Sequence, residues 1–144
     1  MPWVFFILVN EVEMEKLKQI EICGKKYPIK IDLNVLEQIQ EHYGSIQEFE
    51  MDIMGIRFKK DEEGKPLFND VGNPSLYLGE PSIKAIKFVL PLMINEGLSI
   101  EAEEHKTGWK AIQEEEIFRN CDVHYQVLAK VIREEFNRCF SSKK

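Results

Sequence analysis

The chain is poor in the residue patterns that usually carry chemistry. Its cysteines number three, Cys23, Cys121 and Cys139. An odd count does not make a disulfide framework, and a reducing cytoplasm is the expected compartment. The eight glycines form neither GxGxxG nor GxxxxGK[ST], which removes the usual nucleotide-binding loops. Basic residues are outnumbered, 19 against 25 acidic ones, for a net charge of −6. A protein that neutralises phosphates needs a basic surface, so nucleic acid is not an expected partner. Long apolar runs are missing too. Trp3–Val9 is far short of the roughly 20 residues of a bilayer-spanning helix, so no membrane partner is expected. The run also lacks the basic start and small-residue cleavage site of a signal peptide. The acidic groups Asp61–Glu63 and Glu101–Glu104 lack the Asp-x-Asp-x-Asp-Gly spacing of a calcium loop. No internal repeat is recognised.

What is present describes an ordinary globular chain: 144 residues, 44% apolar and 31% charged, enough for one domain with a sizeable core. Ile20 and Ile22 alternate with Glu21, and Tyr27, Ile29 and Ile31 alternate with Pro28 and Lys30, which predicts two half-buried strands. A type II′ turn at Gly24-Lys25 would pair Ile22 with Tyr27 and Ile20 with Ile29. Asp32 is an N-cap for a helix carrying Leu33, Leu36, Ile39 and Tyr43, stopped by Gly44. Ser45 to Glu48 is a capping-box pattern that opens a second helix to about Met54, with Ile46, Phe49, Ile53 and Met54 inward and Gly55 as its end.

From Arg57 to Pro81 glycine and proline recur too often for a helix. The stretch predicts a long irregular loop, with a small hairpin about Glu63-Gly64 that packs Phe58 against Phe68. It reads either as a solvated insertion or as a functional loop. A third helix begins at Pro81-Ser82, bears Ile83, Ile86, Val89, Leu90, Met93 and Ile94, kinks at Pro91 and ends at Asn95 to Gly97. Leu98 to Ile112 has room for a short acidic helix before a break at Thr107-Gly108. From Glu114 the stripe Ile117, Cys121, Tyr125, Leu128, Ile132, Phe136 and Phe140 predicts one helix of roughly seven turns. The expected fold class is α+β: an N-terminal hairpin followed by a mainly helical domain of about four helices. Residues 14–140 form the expected core and 141–144 a frayed tail. Residues 1–13 read as an extra strand, a partner-binding arm, or translated upstream sequence with Met14 as the natural start.

No catalytic, metal-binding or cofactor-binding residue is expected. Cys121 and His124 stand three apart, as two ligands on one helix face can, but a zinc site needs more ligands, and the usual spacing motifs are missing. Cys121 and Cys139 lie on or beside the apolar stripe, where cysteine acts as a small hydrophobe. His42, His105 and His124 have no nearby Ser or Cys in a nucleophile setting.

Two stretches resemble the tail assembly chaperones of long-tailed bacteriophages and prophages of Gram-positive bacteria. The first is ICGKKYPIKIDLNVLEQIQEHYGSIQEFE, with Gly24, Lys25, Tyr27, Ile29, Ile31, Asp32, Leu33, Leu36, Tyr43 and Gly44 at the marker positions; the second is IKAIKFVLPLMINEGLSIEAEE. Together they cover about a third of the chain. The Trp3–Val9 run and the Arg57–Pro81 stretch depart from the pattern. The resemblance implies a non-enzymatic protein of the host cytoplasm. Its partners would be the tape measure protein, which it keeps soluble, and the tail tube protein, whose polymerisation it assists; weak self-association is compatible. An amphipathic groove for a helical client is expected between the third and last helices, at Phe88, Leu92, Tyr125, Ile132 and Phe136. Most of both stripes is expected to be core, leaving edge residues and the Arg57–Pro81 loop for the client. The alternatives are a small cysteine- or metal-dependent prophage enzyme using Cys121 and His124, and a nucleic-acid-binding regulator of a mobile element.

Overall fold

The structure, a computed structural model, describes residues 17–140. The expectations for residues 1–13 and for the tail at 141–144 lie outside them. Strands β1 (Lys18–Ile22) and β2 (Lys25–Ile29) form the antiparallel N-terminal hairpin. The register differs from the expected one: Ile20 faces Tyr27, Ile22 faces Lys25 and Lys18 faces Ile29. The turn is Cys23-Gly24, with φ of 51° and 76°. Two successive positive φ angles belong to a type I′ turn, whose twist matches that of the strands. The shift is by two residues, so it preserves the alternation, and Ile20, Ile22, Tyr27 and Ile29 are all buried.

Helix α1 (Leu33–Tyr43) starts where Asp32 Oδ1 accepts from the Val35 amide at 3.2 Å and stops at Gly44, φ 86°. Its inward face is Val35 and Ile39, with Leu36 and Tyr43 half-buried; Leu33, expected inward, is 82% exposed. Helix α2 (Ile46–Met54) is capped by the Ser45 hydroxyl on the Glu48 amide and ends at Gly55. Phe49 and Ile53 are buried, whereas Met54 turns outward.

Helix α3 (Ile83–His105) is capped by Ser82 and runs without interruption through Pro91 and Gly97 to a left-handed Lys106. The expected stop at Gly97 and the separate acidic helix after it are therefore corrected to one continuous element. Gly97 is where α3 crosses β2. A Cβ there would stand 2.6 Å from the Pro28 carbonyl oxygen. Close by, the Lys30 amide donates to the Met93 carbonyl at 3.1 Å. The glycine serves close approach, not termination.

The expected seven-turn helix is also corrected. It is two helices, α4 (Glu114–Phe118) and α5 (Tyr125–Cys139). Between them lie Asn120, Asp122 and Val123, all weak helix formers. The turn of the first hairpin docks into this break. The Cys23 amide donates to Asp122 Oδ1 at 2.9 Å, and its thiol to the Asn120 carbonyl. His124 Nδ1 then accepts from the Gln126 amide and caps α5. Upstream, Asn95 fixes the α3–α4 connection through two hydrogen bonds with the Ile112 backbone. Ile29, Val35, Ile39, Phe49, Ile86, Leu90, Met93, Ile94, Ile117 and Ile132 make one core shared by the hairpin and all five helices. The class is α+β, as the sequence predicts.

Candidate functional site: an exposed apolar arm

The segment between α2 and α3 builds an arm. Its stem is β3 (Ile56–Phe58) paired antiparallel with β4 (Leu76–Leu78), Phe58 facing Leu76. Two small hairpins follow outward, bridged at Lys60–Pro66 and Phe68–Pro74. The expected hairpin about Glu63-Gly64 is thus present, but Phe58 and Phe68 are not its cross-strand pair.

The two hairpins are copies. Residues 60–67 read KDEEGKPL and residues 68–75 read FNDVGNPS, a repeat of [Asp/Asn]-x-x-Gly-x-Pro at a period of eight. This corrects the expectation that the chain holds no repeat. Asp61 Oδ1 accepts from the amides of Glu63 and Lys65, both at 2.9 Å. Asn69 Oδ1 accepts from Val71 and Asn73, both at 3.0 Å. Such a side chain substitutes for a backbone turn. Gly64 and Gly72 supply the positive φ each loop needs, 82° and 85°. Where stem and hairpins meet, three backbone bonds close a ring. Lys59 N donates to Ser75 O, Ser75 N to Leu67 O, and Leu67 N to Lys59 O, at 2.8–2.9 Å. The arm therefore has pseudo-threefold form: two leaves on a stem.

The stem is fastened to the body by Gly79 N on Gly55 O at 2.6 Å and by Arg57, whose guanidinium donates to the Glu80 carbonyl and lies 3.8 Å from Asp52. Glu80 Oε1 accepts from the Tyr125 hydroxyl at 2.6 Å, tying the arm's end to the start of α5. That hydrogen bond, to a negative carboxylate, raises the Tyr125 pKa. At the base of the stem is a cleft of about 400 Å³ lined by Tyr43, Glu48, Met51, Asp52, Arg57 and Tyr77 among others. Burial, and then the charge of Asp52, push the Tyr43 hydroxyl above its ordinary pKa.

Backbone hydrogen bonds and the two side-chain loops hold the arm, for it has no core. Not one residue from 58 to 78 is buried. Yet Phe68, Val71 and Leu78 are 61%, 79% and 78% exposed, and Phe58, Leu67, Leu76 and Tyr77 are also exposed. Scattered surface apolar residues are normal; this density on one small element is not.

The residues expected to bind a partner are not brought into one groove. Ile132 and Phe136 are buried, and Phe136 packs on Phe49 with ring centroids 5.9 Å apart. Leu92 is half-buried against the core. Tyr125 is engaged with Glu80. Phe88 lines a shallow cleft with Ile83, Lys84, Lys87 and Glu114, its ring stacked on His42 at 4.0 Å. Cys121 and His124 are placed by local bonds, the thiol on the Val123 carbonyl and the imidazole on the α5 cap. Among the described residues no group of three or more His, Cys, Asp or Glu could hold a metal ion, and no helix is long and apolar enough to cross a membrane.

Comparison with known proteins returns no match: no family model, no curated protein and no solved structure is similar to the chain. The likeness to tail assembly chaperones rests on the residues quoted for it.

Proposed function

We propose that this protein is a non-enzymatic binding protein that shields apolar segments of a client, and that its arm is the binding surface. The observation that carries the reading is an element with no buried residue from 58 to 78 that displays Phe68, Val71, Leu76 and Leu78. Apolar side chains on a backbone already ordered by hydrogen bonds lose less conformational freedom when a partner covers them than those of an unstructured segment would. The net charge of −6 keeps the complex soluble. The resemblance to tail assembly chaperones supplies the client: the apolar, helix-rich segments of a tape measure protein, held until tail tube subunits replace the chaperone in the bacterial cytoplasm. The arm takes the place of the groove expected between the third and last helices.

Co-expression with the tape measure protein of the same genetic element tests this. The native chain is expected to move the client into the soluble fraction as a complex on size-exclusion chromatography. The double variant Phe68→Ser, Leu78→Ser alters only exposed positions and should fold, yet leave the client in the pellet. A client equally insoluble with and without the native chain ends the chaperone reading. A double variant that holds the client as well as the native chain moves the site off the arm.

A further inference from the structure

The turn that docks between α4 and α5 sets Cys23 against the two residues that flank Cys121. Cys23 occupies the first central position of a type I′ turn at φ 51°. Asn, Asp and Gly are the ordinary residues there, and cysteine gains nothing locally from a left-handed backbone. What holds it is the segment Asn120–Asp122. The Cys23 amide binds the Asp122 carboxylate at 2.9 Å, and its sulfur rests on the Asn120 carbonyl. These two contacts straddle Cys121, and the Asn120 carbonyl is one peptide bond from it. Cys121 is half-buried, its thiol directed at the Val123 carbonyl at 3.6 Å. Cys23 is exposed.

We propose that Cys23 and Cys121 are a redox pair, which a peroxide closes into a disulfide that pins the hairpin tip to the α4–α5 link. The exposed Cys23 thiolate attacks one oxygen of hydrogen peroxide, the O–O bond breaks, and a sulfenic acid forms while the departing hydroxide takes up the proton that Cys23 released and leaves as water. The Cys121 thiolate then attacks the sulfenic sulfur; the S–O bond breaks and the hydroxyl leaves as a second water, taking up the remaining thiol proton. Two thiols are oxidised by two electrons and one peroxide is reduced. Docking has already set Cys23 against Asn120 and Asp122, the residues on either side of Cys121. The closed bond would span residues 23 to 121, so it removes much freedom from the unfolded chain. Cys139 lies at the far end of α5, where burial, then the charge of Glu135, raise its thiol pKa and disfavour the thiolate.

The full chain is treated with hydrogen peroxide, digested without reductant and mapped by mass spectrometry. The expected product is a Cys23–Cys121 peptide lighter by two hydrogens than the two thiol peptides, with an upward shift in Tm that dithiothreitol reverses. Cys139→Ser should leave the link intact and Cys23→Ser should abolish it. Cys23 recovered only as sulfinic acid, as a link to Cys139, or as a link between two chains overturns the proposal. So does a thiol that stays unoxidised while surface methionines are converted. The Cys23→Ser arm alters an exposed turn residue, so the comparison does not depend on the tolerance of the core to changes at Cys121.

Discussion

Gly97 lies against Pro28 so tightly that helix and strand touch backbone to backbone: a Cβ on the glycine would stand 2.6 Å from the Pro28 carbonyl oxygen and 3.0 Å from the Ile29 amide nitrogen. In an exposed helix Gly→Ala would add about 1 kcal/mol of stability. Here the methyl meets backbone that no side-chain rotation can clear. Gly97→Ala is expected to lower stability by about 1–3 kcal/mol, the ordinary cost of overpacking. Urea denaturation checks it. An unchanged or raised midpoint would mean that α3 and β2 separate freely.

That contact marks the boundary of what was legible in the sequence. The caps were legible, since Asp32, Ser45, Gly44 and Gly55 act on neighbours a few residues away. So was the face of each strand, because alternation survives a register shift of two. Gly97 looked like a stop because a packing glycine and a terminating glycine have the same local signature; the difference lies in Pro28, far away along the chain. The break between α4 and α5 was hidden for a similar reason. Ile117, Cys121, Tyr125 and Leu128 keep helical spacing across it, since both helices face one core. What interrupts them is the tip of the first hairpin. The arm was different. Its repeat stood in the sequence at Asp61-x-x-Gly64-x-Pro66 and Asn69-x-x-Gly72-x-Pro74, but the abundant glycine and proline read as disorder of pattern.

The side-chain loops of the arm should be local in their effect. Asp61→Ala removes the acceptor of two amides, Glu63 and Lys65. Each lost bond is worth about 1 kcal/mol, and both groups become free to bond with water. With no buried residue in the arm, the core should be indifferent. Hydrogen exchange at Glu63 and Lys65 is expected to accelerate by tenfold or so, about 1.4 kcal/mol, while the global unfolding midpoint stays put. A lowered global midpoint would show that the arm and body unfold as one unit.

Glu96 should make stability depend on pH. It accepts from Asn34 Nδ2 at 3.0 Å, and a hydrogen bond shared with the Asp32 carboxyl, followed by burial, raises its pKa above the ordinary value of 4.5. Folded Glu96 thus binds its proton more tightly than unfolded Glu96. Linkage then runs against the usual carboxylate case: stability falls as pH rises from the unfolded pKa through the folded one, then levels off. Glu96→Gln keeps an acceptor and removes the charge. It should raise the neutral-pH midpoint and flatten that slope. A variant with the native pH profile would assign the slope to another group.

Glu135 offers the sharpest test of the core. It is 1% exposed on α5, and among the described residues its Oε1 has no hydrogen-bond partner and its Oε2 receives only the Ile31 amide at 3.5 Å. Arg138 lies 3.6 Å from Oε1, too far for a good hydrogen bond, and half its side chain is in solvent. A buried carboxylate so poorly paired costs about 1–3 kcal/mol, against about 1 kcal/mol for the weak bond to Ile31. Glu135→Met fills the same space without the charge and lets Arg138 turn to water. It is expected to raise stability by about 1 kcal/mol at neutral pH. Glu135→Ala should instead lower it by about 1–3 kcal/mol, through the cavity it leaves. If methionine proves as damaging as alanine, the carboxylate is held by more than Ile31 and Arg138, and charge rather than volume is what this position requires.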